Sequence, residues 1–275
     1  MYGLGVNRLG VTNARSSGFT PLSLFANGEQ GAWYDPSDLT TMFQPDGTTA
    51  TVPWVSGEVT DANRVGKLVD KSRASGYDLI QTTATKCPTL VSAGGLYYLD
   101  FDGTDDGMRT TANIPFATNS VQEMSAFAAV QKDSADVLQN VLEFSNNLGS
   151  QDGSFRLFYT AGNLWRSVQK GDVANTLQSG VISENPDKVI MTSVASITAP
   201  SHLFRLDGSL IDSNTSTLGN GPYSDNQLSI GARAGGNSAR LDGQIYGIII
   251  RGAVSTAEEI SSVEEYLAGK SGVTL

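Results

Sequence analysis

The sequence predicts an all-β fold: an antiparallel sandwich with one short C-terminal helix, preceded by an extended N-terminal arm. Three observations predict it. Of 275 residues only 17% are charged while 30 are Gly, the composition of many short strands joined by tight turns. From Leu96 to Gly252 strand-like segments recur between turn signals, without the interleaved helical periods of βαβ units. One segment with a helical period stands at the end of the chain.

The first 28 residues hold Arg8 and Arg15 but no Asp or Glu, so the net charge of −10 divides into +2 there and −12 on the rest. Residues 1–20 form an arm rich in Gly, Asn and Ser, with Leu4, Val6, Leu9 and Val11 at near-alternate spacing. Such a segment cannot bury enough surface to order itself. It suits an added strand or a peptide in a groove on a neighbouring subunit, with Arg8 and Arg15 meeting acidic surface. The domain itself occupies residues 21–275. Trp33 and Tyr34 abut Asp35-Pro36, a turn opening, and Ser37–Phe43 suits one helical turn. Residues 44–64 read as a polar surface excursion, and Gly66–Ser72 as a short strand.

Leu96–Gly103 alternates, with Leu96, Tyr98 and Asp100 on one face and Tyr97, Leu99 and Phe101 on the other. Ser125–Lys132, Asn140–Ser145, Ser154–Ala161, Lys188–Ser196, Ser201–Gly208, Gln227–Arg233 and Gly243–Gly252 continue the strand pattern. In Ser154–Ala161 the apolar Phe155, Leu157 and Tyr159 alternate with Arg156, Phe158 and Thr160, as in a half-buried strand. Asp207-Gly208 supplies the positive-φ pair of a two-residue hairpin. Gly247 interrupts the apolar run Ile245–Ile250, which predicts a strand covered on both faces, by the opposite sheet and by the terminal helix. That helix has Ile260, Val263 and Leu267 on one face, a capping box from Ser255 to Glu258, and Gly269 as its C-terminal cap. Glu258, Glu259, Glu264 and Glu265 read as its solvated face.

Several classes are excluded. An acidic surface repels phosphate backbones, so no nucleic-acid partner is expected. The single Cys (Cys87) excludes an intrachain disulfide and thiolate-rich metal sites, and reads as a small buried thiol. No stretch approaches the ~18 apolar residues of a membrane helix. The start, MYGLGVNRLG, lacks an apolar h-region, which predicts a chain not exported by the Sec route.

FDGTDDGM (Phe101–Met108) resembles the F-D-G-x-D-D motif of concanavalin A-like, laminin-G-like jelly rolls. Ile230-Gly231-Ala232-Arg233, followed by the Gly243–Gly252 strand and the helix, resembles the C-terminal end of that superfamily. The opening PLSLFANGEQGAWYDPSDLTTMFQ, with Gly66–Ser72 and Pro88-Thr89-Leu90, is similar to the start of such domains in bacteriophage virion proteins. The resemblance implies an antiparallel jelly-roll sandwich in a non-enzymatic virion structural protein, a capsid decoration or fibre-like component assembled in the host cytoplasm. Its partners would be other virion proteins, held through the arm, and two further copies in a homotrimer. No cofactor is implied. The alternative is a tail protein that binds host surface polysaccharide; a glycan-cleaving enzyme is a third reading.

The candidate site residues follow from chemistry. Asp100, Asp102, Asp105 and Asp106 are the densest acidic cluster and offer the hard oxygens Ca²⁺ takes; the competing reading is turn carboxylates satisfied by backbone N–H groups. Sugar binding needs an aromatic platform beside amides. Trp165 and Tyr223, with Asn146, Asn147 and Gln151, are the candidates, and Trp33, Tyr34 and Trp54 are further aromatics. Loops 171–185 and 212–226 are candidate rims. Catalysis lacks its residues: jelly-roll glycosidases carry carboxylates at i, i+2 or i+4 on one strand, whereas VLEFSNN carries only Glu143. His202 has no G-x-S-x-G elbow to serve and is expected on an edge strand. Deleting residues 1–20 is expected to leave a folded, soluble sandwich that no longer joins its oligomer or particle. Size-exclusion chromatography and particle co-sedimentation check this; a truncated protein that unfolds, or still assembles fully, removes the anchor role.

Overall fold

In the computed structural model the described residues are 18–45, 63–72, 76–134, 137–182, 186–233 and 238–275. The arm up to residue 17, most of the 44–64 excursion and Trp54 lie outside them. After a 3-10 turn at Pro21–Phe25 come β1 (Gly31–Tyr34), β2 (Met42–Phe43), β3 (Lys67–Leu68), β4 (Leu79–Ile80) and β5 (Thr89–Ala93). Next are β6 (Leu96–Asp102), β7 (Met108–Thr110), β8 (Ile114–Pro115), β9 (Glu123–Lys132), β10 (Gln139–Phe144), β11 (Ser154–Tyr159) and β12 (Trp165–Lys170). The rest are β13 (Ala174–Gln178), β14 (Asp187–Ser196), β15 (Ser201–Leu206), β16 (Ser209–Asn214), β17 (Asp225–Asn226), β18 (Leu228–Ile230), β19 (Asp242–Arg251) and α1 (Ala257–Ser271).

Two antiparallel sheets face one another as a jelly-roll sandwich. The first runs β16-β15-β14-β9-β19-β6-β5, with β1 also on β19; the second runs β13-β12-β11-β10-β18-β7-β4-β3-β2. Between them lies one apolar core, with Leu99, Phe101, Ala128, Val130, Met191 and Ile248 on one side and Leu142, Phe144, Phe155, Leu157 and Ile230 on the other. The alternation read in Leu96–Gly103 is what delivers Leu99 and Phe101 to this core and Tyr98 to the opposite face.

The first sheet is covered twice, as the apolar run in β19 requires. On its outer face Phe127, Ala129, Ile190 and Ile249 pack with Ile260, Val263 and Leu267 of α1 and with Phe25 and Trp33. Each buried Val, Leu, Ile or Phe among them contributes roughly 1.5–3 kcal/mol by leaving water. Gly247 sits where β19 slips register between Ile245 and Gly247. A Cβ there would stand 2.9 Å from Leu267 Cδ2, so the glycine is what lets the helix pass.

The helix ends differ from the sequence reading by a small shift. The N-cap is Thr256, paired with Glu259 in the capping box, and the left-handed C-terminal cap is Gly272 at φ 76°. Ser255-x-x-Glu258 fits the same pattern, but Arg251 decides the register: its Nη1 donates to Glu259 Oε2 at 2.8 Å, and buried Ser255 bonds Ser125 and Arg251 instead. Glu264 is not solvated either. It is buried, accepting from Thr192 Oγ1 at 2.9 Å and Arg205 Nε at 2.8 Å, while Glu258 and Glu265 are exposed. The Asp207-Gly208 hairpin forms as expected, at φ 47° and 76°. The strand it opens, β16, is an edge whose Leu210 and Ile211 are exposed. Strand β11 is buried along its whole length rather than half-buried.

Thr256→Ala removes a side-chain cap and is expected to lower stability by about 1 kcal/mol, whereas Glu258→Gln stays close to wild type. Urea unfolding of both variants checks the cap register; the reverse order would restore Ser255 as the cap.

Candidate functional site

Register places one row of side chains across the outward face of the second sheet. Lys67 pairs with Ile80, Ile80 with Arg109, Arg109 with Ser229, Ser229 with Glu143, and Glu143 with Arg156. Directly opposed residues in an antiparallel ladder share a face, so these five strands, β3, β4, β7, β18 and β10, together with β11 present a polar stripe. In its middle Ile80, Gln81, Arg109, Ser229 and Arg233 line a cleft of about 250 Å³, with Lys86 and Asp105 beside them.

Glu143 anchors the stripe. Its side chain has no solvent exposure; Ser145 Oγ donates to Oε1 at 2.6 Å, and Arg233 reaches Oε2 with Nε at 3.1 Å. Arg156 Nε stands 3.7 Å away and donates instead to Asn140 Oδ1 at 2.7 Å. Burial lowers the Arg156 guanidinium to about 10, with Glu143 opposing, so it stays charged at neutral pH. Arg109 donates from Nη2 to Asn146 Oδ1 at 2.6 Å, and the Asn146 amide donates to Asn226 Oδ1 at 3.1 Å. Gln151 Oε1 accepts the Asn146 N–H at 2.6 Å, which fixes the loop at the rim of the cleft.

The expected site residues therefore part company. Asn146 touches the cleft through Arg109, and Gln151 braces Asn146 from behind. Asn147 is exposed in the adjoining turn, its Oδ1 accepting from Gly149 N–H at 3.1 Å. Trp165 and Tyr223 do not form a sugar platform, because both are fully buried. Trp165 packs on Tyr159 and donates Nε1–H to Asp187 at 2.7 Å; Tyr223 donates to Gln169 Oε1 at 2.8 Å. Trp33 and Tyr34 are buried as well. Cys87 is a buried thiol, pushed up to about 12 first by burial and then by Asp106.

Of the acidic cluster, Asp102, Asp105 and Asp106 bring carboxylate oxygens within 4.8 Å of one another, and Asp100 stands outside the group. The turn already uses them: Asp102 Oδ1 accepts from the N–H groups of Thr104 and Asp105 at 2.8 and 3.2 Å. Asp106 accepts from Asp102 N–H at 3.1 Å and pairs with Arg64 at 3.2 Å. A cation would have to compete with all of these. Of the two glycines in this turn only Gly103 is left-handed (φ 68°); Gly107 is needed because a Cβ would meet that of Ala232 at 2.9 Å.

His202 does not lie on an edge strand. It sits on β15, between β14 and β16, pointing into the sandwich at 2% exposure. Its Nδ1–H donates to Asn175 Oδ1 at 2.8 Å, while Nε2 lies 2.8 Å from Ser167 Oγ and 3.2 Å from Ser193 Oγ. This has the order of a nucleophile relay, but Ser167 has no solvent exposure and the network lies between the sheets. It is a hydrogen-bonded polar patch in the core, and strand alternation alone gave no sign that these residues meet.

No known family pattern matches the chain, and no curated protein sequence does. Solved structures do. A Trypanosoma rangeli sialidase in complex with 2,3-difluorosialic acid aligns at TM-score 0.52 and 14% identity over 90% of this chain, which spans 38% of the sialidase. The CBM40 of the Ruminococcus gnavus IT-sialidase, bound to α2,3-sialyllactose, aligns at TM-score 0.42 and 16% identity, over 54% of this chain and 84% of its own. The SAP-like pentraxin of Limulus polyphemus aligns at TM-score 0.48 and 12% identity, over 60% and 80%. The likeness is one of fold.

The His202 imidazole is depressed to about 3 by burial, whereas in the unfolded chain it titrates near ~6.5. The unfolded state therefore takes the proton first, and the stabilisation is complete above ~6.5 and lost as pH falls toward about 3, at up to ~1.4 kcal/mol per unit. Unfolding free energies measured at several pH values in that window should fall more steeply for wild type than for His202→Gln. Equal slopes would mean that the imidazole is not held neutral.

Proposed function

We propose that this jelly-roll domain is a non-catalytic, saccharide-binding component of a bacteriophage particle, a surface decoration or host-recognition protein. The observation that carries the binding reading is the cleft on the outward face of the second sheet. Its lining brings Gln81, Arg109, Ser229 and Arg233 together with the apolar Ile80, Met108 and Ala232, a mixture that a saccharide's hydroxyls and C–H faces can both meet.

The non-catalytic part rests on the stripe's one carboxylate. Glycoside hydrolysis uses two carboxyl groups roughly 5–9.5 Å apart, both in reach of the scissile bond. Glu143 has no solvent exposure, and Ser145 and Arg233 occupy it. A group so held is not presented to a ligand in the cleft. The particle setting is supported by the resemblance of Pro21–Gln44, Gly66–Ser72 and Pro88–Leu90 to the start of such domains in virion proteins, and by a net charge of −10 suited to an exposed, soluble surface.

An array of neutral, uronic-acid and sulfated oligosaccharides is expected to show reproducible binding by the full chain, with no reducing ends released from the glycans bound. A blank array removes the binding reading. Released reducing ends remove the non-catalytic one.

A further inference from the structure

The cleft holds hydrogen-bond donors that the protein leaves unused. Arg109 engages Asn146 through Nη2, but its Nε–H is shut off from solvent and has no protein partner. Ser229 lines the same cleft at 3% exposure, and its Oγ is likewise unpartnered. The two residues are register partners across β7 and β18, so the idle groups leave the sheet side by side. Buried polar groups in folded proteins are nearly always hydrogen-bonded, and two adjacent exceptions in one cleft call for an acceptor from outside.

Charge says which acceptor. Lys86, Arg109 and Arg233 line the cleft against one carboxylate, Asp105. Behind it the guanidinium groups of Arg156 and Arg233 share the single carboxylate of Glu143. Among the side chains that line the cleft, positive charge therefore exceeds negative, on a chain of net −10. A neutral hydroxyl could accept these donors, but only an anion also answers the charge.

We infer that the cleft binds a singly charged anionic substituent of a saccharide, a carboxylate or a sulfate ester, at the Arg109 and Ser229 side chains, with Arg233 as the flanking charge. This rests on the saccharide-binding reading and narrows it to acidic glycans. Asp105 disfavours a doubly charged phosphate at the same place.

Calorimetry on the strongest ligand from the array, beside its carboxyl-reduced or desulfated counterpart, tests the inference. Removing the anion is expected to weaken binding at least about tenfold, and added salt to weaken the acidic ligand alone. Arg109→Gln, which keeps a polar reach toward Asn146, is expected to weaken acidic-ligand binding about ten- to a hundredfold. Ser229→Ala should weaken it severalfold while leaving the melting temperature unchanged, since the hydroxyl holds no internal bond; a melt of both variants checks folding. If the ligand is neutral, or binding survives loss of the anion, the acidic-glycan inference falls while saccharide binding stands. If acidic ligands bind both variants as they bind wild type, the site is elsewhere and the inference falls. A blank array removes both.

Discussion

The architecture turns on one close approach, the ring of Phe101 against the bare backbone of Gly231. Phe101 belongs to the first sheet and Gly231 follows β18 in the second; a Cβ at 231 would lie 2.1 Å from the ring's Cε1, and its φ of 70° is left-handed. Leu241 N–H donates to Gly231 O at 2.7 Å, and Leu241 O accepts from Gly103 N–H at 3.0 Å. The turn after β6, the turn after β18 and the entry to β19 are thus one hydrogen-bonded unit. The two motifs that carry the family resemblance, far apart in sequence, are the two halves of this contact. Because the chain bends at Gly231, Arg233 arrives over Glu143, and the cleft takes its shape from the same bend.

Glu143 shows how a charge is tolerated inside a sheet face. Removing a carboxylate from water costs several kcal/mol, and a buried ion pair offsets this only when its geometry is good and its remaining lone pairs are filled. Here Ser145 and Arg233 fill them. The fold is therefore sensitive to loss of either partner in a way that the sequence VLEFSNN does not announce.

Much of the fold could be read from local chemistry. Asp207-Gly208 forms its hairpin because only positive-φ residues suit a two-residue turn, and Ile260, Val263 and Leu267 face the sheet because of the helical period. What failed was fixed by distant partners. Two overlapping capping boxes fit residues 255–259, and only Arg251, on another element, selects Thr256. Trp165 looked like a loop aromatic, yet Asp187 satisfies its indole N–H deep in the sandwich. Beside the cleft, Asn146 and Gln151 were legible as loop amides. Arg109, Ser229 and Arg233 were not, since each is an ordinary residue until register sets it beside the others; the nearest signal was the arginine of the I-G-x-R pattern.

The cleft is divided between residues the fold cannot release and residues it does not need. Glu143, Arg156 and Arg233 hold one another, so their identities are tied to stability. Ser229 holds nothing internally, and Arg109 secures only the Asn146 loop. Conservative changes at positions 109 and 229 can therefore leave folding nearly untouched while altering what the cleft accepts. A lineage pressed to follow a changing ligand has, in this arrangement, two adjacent positions at which specificity can drift on an unchanging scaffold.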